Sequence, residues 1–215
     1  MNGQATDKTL SCVLLAAGLS RRMGEVNKLT IEIDGVPLLR RTAEMLCGYP
    51  FVEVVAVLGH ESEQTAKLLE HLPIRTVINP DYAQGQMTSM TLGASSLTKD
   101  SDGIMIFLSD LVMVDHSDIA LIHQHFDQSE KSVVVPRFNH NRGNPIILAN
   151  QHKQAIVEGN KNLGCRNLIN KNPELVDAIT MPNDHVICDM DTPEDVEKIK
   201  QKLSNQRKPI AEAVG

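Results

Sequence analysis

Residues 10–29 of this 215-residue chain read LSCVLLAAGLSRRMGEVNKL. The first six are small or apolar and do not alternate with charged residues, which is typical of a strand covered on both faces. Gly18 and Gly24 follow directly, and together with the small residues around them they let backbone N–H groups turn inward and line a concavity. Arg22 and Lys28 add positive charge to the same loop. This combination predicts a site for a ligand with several phosphates, and the alternative is a glycine turn with solvated basic residues.

The spacing of this loop separates it from two better-known phosphate motifs. A Walker A loop has four residues between its glycines and Lys-Ser/Thr directly afterwards. Here five residues separate Gly18 from Gly24, and Lys28 comes four positions later. The Gly-x-Gly-x-x-Gly fingerprint of dinucleotide-binding domains is also absent from the sequence.

Short apolar runs recur along the chain and alternate with segments of helical spacing. This alternation predicts an α/β fold of Rossmann-like type, with a mostly parallel sheet and helices on both faces. The predicted strands are Leu10–Leu15, Val52–Leu58, Arg75–Ile78, Gly103–Leu108, Ser132–Val135, Ile146–Leu148, Leu175–Met181 and His185–Cys188. The predicted helices are Pro37–Leu46, Glu61–Leu69, Thr88–Leu97, Ser117–Phe126, Gln151–Glu158, Leu163–Asn170 and a last one from Pro193 to about Leu203, with Thr192 as its N-cap.

The alternation breaks after Val135, where two prolines and a glycine interrupt residues 136–145. We expect an excursion from the sheet at this point, in the form of a hairpin lying across its open edge.

Composition narrows the class of protein. The formal charge of −6, from 21 Lys+Arg against 27 Asp+Glu, includes no basic excess, so we expect neither nucleic acid nor an anionic membrane as a partner.

The length fits one domain over residues 1–205, followed by a loosely ordered tail over residues 206–215. The apolar segment Cys12–Gly18 is far shorter than the ~20 residues of a membrane span. The widely spaced cysteines contain no Cys-x-x-Cys pair, which favours reduced thiols in a cytoplasmic protein.

One aspartate stands where a metal ion would be useful, and two more lie near the start of the last helix. Asp110 follows the strand Gly103–Leu108, at the edge where open α/β sheets bind ligands, and Asp189 and Asp191 precede the last helix. Magnesium bound to a nucleotide takes one or two carboxylates from the protein. Two ordinary roles remain open, because Asp110 can form a turn with Ser109 and Asp191 can cap the helix that follows it.

These motifs form an ordered set that spans roughly residues 10–203. The set resembles the molybdenum cofactor guanylyl- and cytidylyltransferases, a family of nucleotidyltransferases, in both order and separation. It reads Ala16-Ala17-Gly18-Leu19-Ser20-x-Arg22-Met23-Gly24 with Lys28, then Asn79–Gly85 with Thr88-Ser89, then Asp110, then Gly143-Asn144-Pro145, then Asp189–Asp195. The resemblance implies a fold like that of the nucleotide-diphospho-sugar transferases.

The resemblance also implies roles for individual residues. Arg22, Lys28 and Asp110 are expected to be catalytic, and magnesium is expected to bind Asp110 and Asp189, with Asp191 as a further candidate. For Thr88 and Ser89 an ordinary role at a helix start remains the alternative, and for Arg166 the alternative is a solvated side chain on a helix. The expected nucleotide-binding residues are Leu15, Ala16, Ala17, Gly18, Ser20, Arg22, Gly24, Lys28, Gly85, Thr88 and Ser89, and the expected acceptor-binding residues are Gly143, Asn144, Pro145 and Arg166.

Two departures from the family pattern bear on the substrates. Members usually carry Gly-Asp-Met-Pro or Ala-Asp-Met-Pro where this chain has Ser109-Asp110-Leu111-Val112, and Asn144 stands where cytidylyltransferases have histidine. An asparagine still donates and accepts hydrogen bonds, so it suits a pterin heterocycle. Ala17 matches the Ala-Ala-Gly of the cytidine-specific enzymes, whereas the guanosine-specific ones have Ala-Gly-Gly.

The predicted function is the transfer of CMP from CTP to the phosphate of molybdopterin, with magnesium as cofactor and release of pyrophosphate. A transient contact with a molybdoenzyme or its chaperone is a further expectation from the resemblance. One alternative is a nucleotidyltransferase that uses GTP, or that acts on a sugar phosphate, phosphocholine or methylerythritol phosphate. The other is a non-catalytic nucleotide-binding protein that serves as a cofactor chaperone.

Overall fold

The computed structural model describes residues 8–24, 26–159 and 169–207. Its strands are β1 (Leu10–Ala16), β2 (Glu32–Ile33), β3 (Val36–Pro37), β4 (Val54–Leu58), β5 (Arg75–Ile78), β6 (Gly103–Leu108), β7 (Val133–Phe138), β8 (Asn141–Arg142), β9 (Ile146–Ala149) and β10 (Val176–Thr180). Its helices are α1 (Leu38–Cys47), α2 (Ser62–Lys67), α3 (Gln86–Ser96), α4 (His116–Gln128), α5 (Lys153–Val157) and α6 (Pro193–Arg207). Short 3₁₀ turns occur at Arg21–Met23, Lys28–Thr30, Tyr82–Gln84, Asn150–His152, Pro173–Leu175 and His185–Ile187.

The main sheet has the strand order β10-β7-β9-β6-β1-β4-β5, with β8 paired to β7. Neighbouring strands run parallel, except that β9 is antiparallel to both β6 and β7 and β8 is antiparallel to β7. The carboxyl ends of β1, β4 and β6 therefore meet at one edge, where open α/β sheets bind ligands. This confirms the predicted fold class.

The core lies on both faces of the sheet. Cys12 and Leu14 of β1 pack with buried residues of α1, α4 and α6, whereas Val13 and Leu15 pack with α3 and α5. Successive side chains of a strand point to opposite faces. The unbroken apolar run of β1 is therefore explained by helices covering both sides.

The segment after Val135 differs from the prediction. Residues 133–142 do form a hairpin, from β7 and β8, but β9 enters the middle of the sheet instead of lying across an edge. The physical reason is that Ile146, Ile147 and Leu148 are fully apolar and buried, and backbone bonding to both β6 and β7 satisfies their polar groups.

One further predicted element was wrong, and one observed element was not predicted. The predicted strand His185–Cys188 is a 3₁₀ turn, because the amide of His185 donates to the Asn183 side chain and the chain turns back on itself. The hairpin of β2 and β3 was missed, although its tip is Asp34-Gly35, a pair with positive φ at both residues.

Helix α6 begins as predicted. The Thr192 hydroxyl accepts a hydrogen bond from the Asp195 amide, and the Asp195 carboxylate accepts one from the Thr192 amide at 3.0 Å. Asp191 does not act as the cap, and the helix continues to Arg207, two residues into the predicted tail. The rest of that tail, and the predicted helix Leu163–Asn170 apart from its last two residues, lie outside the described residues. Among the helices that are described, none has both the length and the apolar character that crossing a membrane requires.

Candidate active site

A cavity of about 350 Å³ opens at the carboxyl ends of β1 and β6. The predicted residues that line it are Leu15, Ala17, Gly18, Lys28, Gly85, Ser89 and Asp110. Of the others, Ala16 is buried at the end of β1, while Ser20, Arg22, Gly24 and Thr88 are not part of the lining. The loop after β1, the start of α3 and the end of β6 thus meet at one cavity.

The loop after β1 is held by its own side chains. Ser20 lies in the left-handed region at φ 50°, and its hydroxyl accepts a hydrogen bond from the Lys28 amide at 3.2 Å. Buried Met23 anchors the turn between these two residues in the core. Ser20 therefore shapes the loop, because it joins the two ends of the segment that carries the predicted phosphate ligands.

Asn27 and Glu61 support Lys28, and neither was among the predicted site residues. Buried Asn27 accepts a hydrogen bond from the Leu29 amide at 3.1 Å and donates one to the Glu61 carboxylate at 3.0 Å. These bonds fix the turn in which Lys28 is the first residue. The pairing joins residues 34 positions apart, so no local pattern would have indicated it.

Lys28 joins two of the predicted acids. Its ammonium lies 2.6 Å from the Asp110 carboxylate and 2.8 Å from that of Asp191, and Arg22 also pairs with Asp191. Burial alone would lower the pKa of Lys28, but the charges and hydrogen bonds of the two aspartates outweigh burial and raise it. Arg22 is 68% exposed, whereas the Lys28 side chain is only 11% exposed. The cations of the loop and the acids across the cleft thus form one cluster.

The aspartates fit a divalent cation. One oxygen of Asp110 is buried and, among the described residues, has no hydrogen-bond partner. Burial and the negative charges of Asp191 and Asp110 raise the pKa of Asp189, so Asp189 lies close to both of the other acids. An unsatisfied carboxylate oxygen beside further acids is a suitable oxygen site for magnesium.

A second acidic cluster lies at the start of α4. In the part of the chain that is described, Asp115, Asp118 and His185 are the group whose ligand atoms lie within 4.8 Å of one another, close enough to hold a metal ion. Their atoms already have partners, since Asp115 accepts from the amides of Ser117 and Asp118, and Asp118 accepts from the Asp115 amide and from His185. The cluster is thus a helix cap joined to a histidine, and the sequence analysis did not find it.

The hydroxyls of Thr88 and Ser89 both accept a hydrogen bond from a buried asparagine. Asn79 donates to the hydroxyls of both residues at 2.9 Å, and the Thr88 hydroxyl donates to the Gly85 carbonyl at 2.9 Å. The Thr88 hydroxyl therefore bonds the backbone at the start of its own helix, whereas the Ser89 hydroxyl bonds Asn79 and Ser89 also lines the cavity.

Tyr82 and Ala17 shape the wall of the cavity. A Cβ atom at Gly59 would lie 2.7 Å from the Cβ of Tyr82 and 2.8 Å from that of Ala17, so only glycine fits between them. Tyr82 and Gln86 line the cavity but were not among the predicted site residues. Tyr82 belongs to the Asn79–Gly85 motif, which was the available signal.

A second cavity, of about 270 Å³, adjoins the first at Leu108. Asn144, one of the predicted acceptor-binding residues, lines it together with Asp189, Arg142 and Val186. Gly143 and Pro145 flank Asn144 but do not line this cavity, and Arg166 lies outside the described residues.

Comparison with known proteins identifies the family. Residues 12–176 match the family of MobA-like NTP transferase domains. The chain belongs to this family. Membership assigns it to the nucleotidyltransferases, as the ordered motifs predicted.

Three curated relatives cover nearly the whole chain. A nicotine blue oxidoreductase of Paenarthrobacter nicotinovorans is 26% identical over 206 residues, covering 90% of this chain and 98% of the relative. A probable molybdenum cofactor guanylyltransferase of Natronomonas pharaonis is 24% identical over 200 residues, covering 89% and 97%. The molybdenum cofactor cytidylyltransferase of Escherichia coli is 21% identical over 198 residues, covering 91% and 97%.

Solved structures support the fold. A nucleotidyl transferase from Methanothermobacter thermautotroptrophicus superimposes with a TM-score of 0.79 at 16% identity, covering 93% of this chain and 99% of the other. A Mycobacterium tuberculosis protein, solved in complex with manganese, gives a TM-score of 0.69 at 17% identity, covering 90% and 98%. The family and the fold class are thus confirmed, while CTP, the molybdopterin acceptor and magnesium remain predictions.

Proposed function

We propose that the protein transfers CMP from CTP to the phosphate of a molybdopterin-type acceptor and releases pyrophosphate. The observation that carries this proposal is the cluster in which the Lys28 ammonium meets both Asp110 and Asp191 at the cavity lined by the loop after β1. A non-catalytic nucleotide-binding protein would have no need for partly buried carboxylates opposed to a cation at the phosphate site.

Different residues would bind the phosphates of the nucleotide and its metal ion. Lys28 would exchange its contacts with the two aspartates for the α-phosphate of CTP, where negative charge develops. Arg22 is exposed and can swing over the cavity to hold the β- and γ-phosphates, together with the backbone amides near Gly18. Asp110, with Asp189 and Asp191, would hold a magnesium ion, whose charge would neutralise the phosphate oxygens.

The acceptor needs little activation. Its phosphate is anionic near neutral pH, so its oxygen can attack the α-phosphorus in line without a general base, and positioning does most of the catalysis. A bond forms between that oxygen and the α-phosphorus, while the bond to the bridging oxygen breaks and pyrophosphate leaves with the electron pair. We place the acceptor in the second cavity, where Asn144 can bond a heterocycle.

Contacts of Ala17 support CTP over GTP. The Ala17 methyl group fills space beside Gly59 and Tyr82 at the cavity wall. A glycine at that position, as in the guanosine-specific pattern, would open this space to a larger base. The curated relatives include both a cytidylyl- and a guanylyltransferase, so the preference requires a direct test.

The decisive experiment is pyrophosphate release with each nucleoside triphosphate and a panel of acceptors. The panel contains molybdopterin, a sugar phosphate, phosphocholine, methylerythritol phosphate and a blank. CTP with molybdopterin should give the highest kcat/KM. Absence of transfer with this pair would overturn the proposal, and a higher kcat/KM with another pair would replace its substrates.

Asp110→Asn tests the site within the same assay. Removing the carboxylate charge should lower kcat by about 10²–10³ without unfolding the protein. Asp100→Asn is the matched control, because Asp100 is exposed in the loop before β6, at the opposite end of that strand. Release of pyrophosphate by Asp110→Asn at the wild-type rate would contradict the assigned role.

A further inference from the structure

Asp118 is a buried carboxylate with more partners than helix capping requires. It is 2% exposed, and one of its oxygens accepts hydrogen bonds from the Asp115 amide at 3.1 Å and from Nδ1 of His185 at 2.7 Å. Its other oxygen accepts from the Asn183 side chain at 3.1 Å. A capping box uses only the first of these bonds. The other two tie residues 183–185 to the start of α4.

The segment that follows His185 reaches both cavities. The Val186 carbonyl accepts a hydrogen bond from the Asn144 amide at 2.9 Å, and the Met190 amide donates to the Asp110 carbonyl at 3.2 Å. Val186 is 1% exposed, and a Cβ at Gly143 would lie 2.5 Å from its carbonyl oxygen. The position of Val186 therefore determines where Asn144 can lie.

We propose that His185, held by Asp118, is a positioning residue that sets the shape of the acceptor cavity. The inference rests on the proposed function, since it takes the cavity lined by Asn144, Val186 and Asp189 as the acceptor site. The bond between Met190 and Asp110 anchors the far end of the segment independently. Loss of the His185 contact should thus disturb the acceptor side and leave the nucleotide side in place.

The test compares three variants. His185→Ala removes the donor to Asp118, whereas His185→Asn keeps an amide donor close to the position of Nδ1. His125→Ala is the matched control, because Nε2 of His125 also faces a carboxylate, that of Asp177 at 3.1 Å, near the other end of α4. Thermal unfolding of each variant shows whether it is folded.

Hydrogen exchange at single amides is the first measurement, and it needs no substrate. The Asn144 amide should exchange about tenfold faster in His185→Ala, because the carbonyl that it bonds is no longer held in place. The Gly143 amide bonds the Pro136 carbonyl at 2.8 Å instead and serves as the internal reference. His185→Asn should restore slow exchange, and His125→Ala should behave as wild type.

Steady-state kinetics are the second measurement. In His185→Ala the KM for molybdopterin should rise about tenfold while the KM for CTP changes less than about twofold. Unchanged exchange at Asn144, or a parallel rise of both KM values, would overturn the inference. Failure of the proposed function would give a different result, because the wild-type protein itself would then transfer no CMP.

Discussion

At the scale of single residues, Lys28 has two sets of possible partners. In the described structure its ammonium lies between Asp110 and Asp191, whereas the proposed mechanism needs it at a phosphate. A divalent cation at the same carboxylates would compete with it for their negative charge. The nucleotide can relieve this competition by drawing Lys28 away, so metal and nucleotide should bind together.

Lys28→Met tests this competition. Without nucleotide, the variant should bind manganese, used here as a probe, about tenfold more tightly than the wild type, because the competing ammonium is gone. Isothermal calorimetry measures both affinities, and Lys198→Met on the exposed face of α6 is the control. Equal or weaker manganese binding by Lys28→Met would refute the competition. Its turnover should fall in either case.

At the scale of elements, the turn His185–Ile187 and the loop around Gly143 fit each other too closely for an added side chain. In Gly143→Ala the new Cβ would meet the Val186 carbonyl at 2.5 Å, and the backbone would have to move. We expect a loss of about 1–3 kcal/mol in the free energy of unfolding, measured by denaturant titration.

Gly18→Ala is the control for this prediction. Nothing lies within 4 Å of a Cβ at Gly18, and the φ of Gly18 is not positive. The free energy of unfolding of Gly18→Ala should therefore stay within about 0.5 kcal/mol of the wild-type value. Equal stability of the two variants would show that the Gly143 loop can relax without cost.

The elements also show what a sequence pattern can and cannot predict. Continuous apolar runs predicted the central strands well, because burial on both faces leaves a strong local signal. The same reasoning failed for His185–Cys188, where three apolar residues form a turn whose conformation depends on Asn183. Asp191 looked like a helix cap because its true partner, Lys28, is 163 positions away. The loop motif and the acids around it were thus visible in the sequence, but the pairing of Lys28 with two of these acids and the supporting residues Asn27 and Glu61 were not.

At the scale of the whole molecule, hydrogen-bonded carboxylates join distant segments. Hydrogen bonds from Thr9, Ser129 and Lys202 lower the pKa values of Asp102, Asp177 and Asp184, respectively. A lowered pKa in the folded state adds stability that is present above the unfolded pKa and is lost as the pH falls through the folded one. The usual value for aspartate is 3.8.

The free energy of unfolding should therefore decline as the pH falls below about 4. Denaturant titrations at a series of pH values measure this decline. Asp102→Asn should make it shallower, whereas Asp100→Asn, in the exposed loop before β6, should leave it unchanged. If the decline were equally steep in Asp102→Asn, the hydrogen bonds between Thr9 and Asp102 would contribute nothing to the pH dependence of stability.

Strand β9 links two parts of the chain whose side chains can change separately. It pairs with β6 and β7, and so joins the strands that come before Asp110 (β1, β4, β5 and β6) to those that come after it (β7, β8 and β10). In the proposed function, the loop after β1 and the end of β6 hold most of the triphosphate site, and the proposed acceptor cavity is lined mainly by residues of the later half. The ladder between β6 and β9 is made of backbone bonds that do not depend on side-chain identity. A change of side chains in the later half can therefore alter the proposed acceptor cavity without breaking the hydrogen bonds that hold the two halves together.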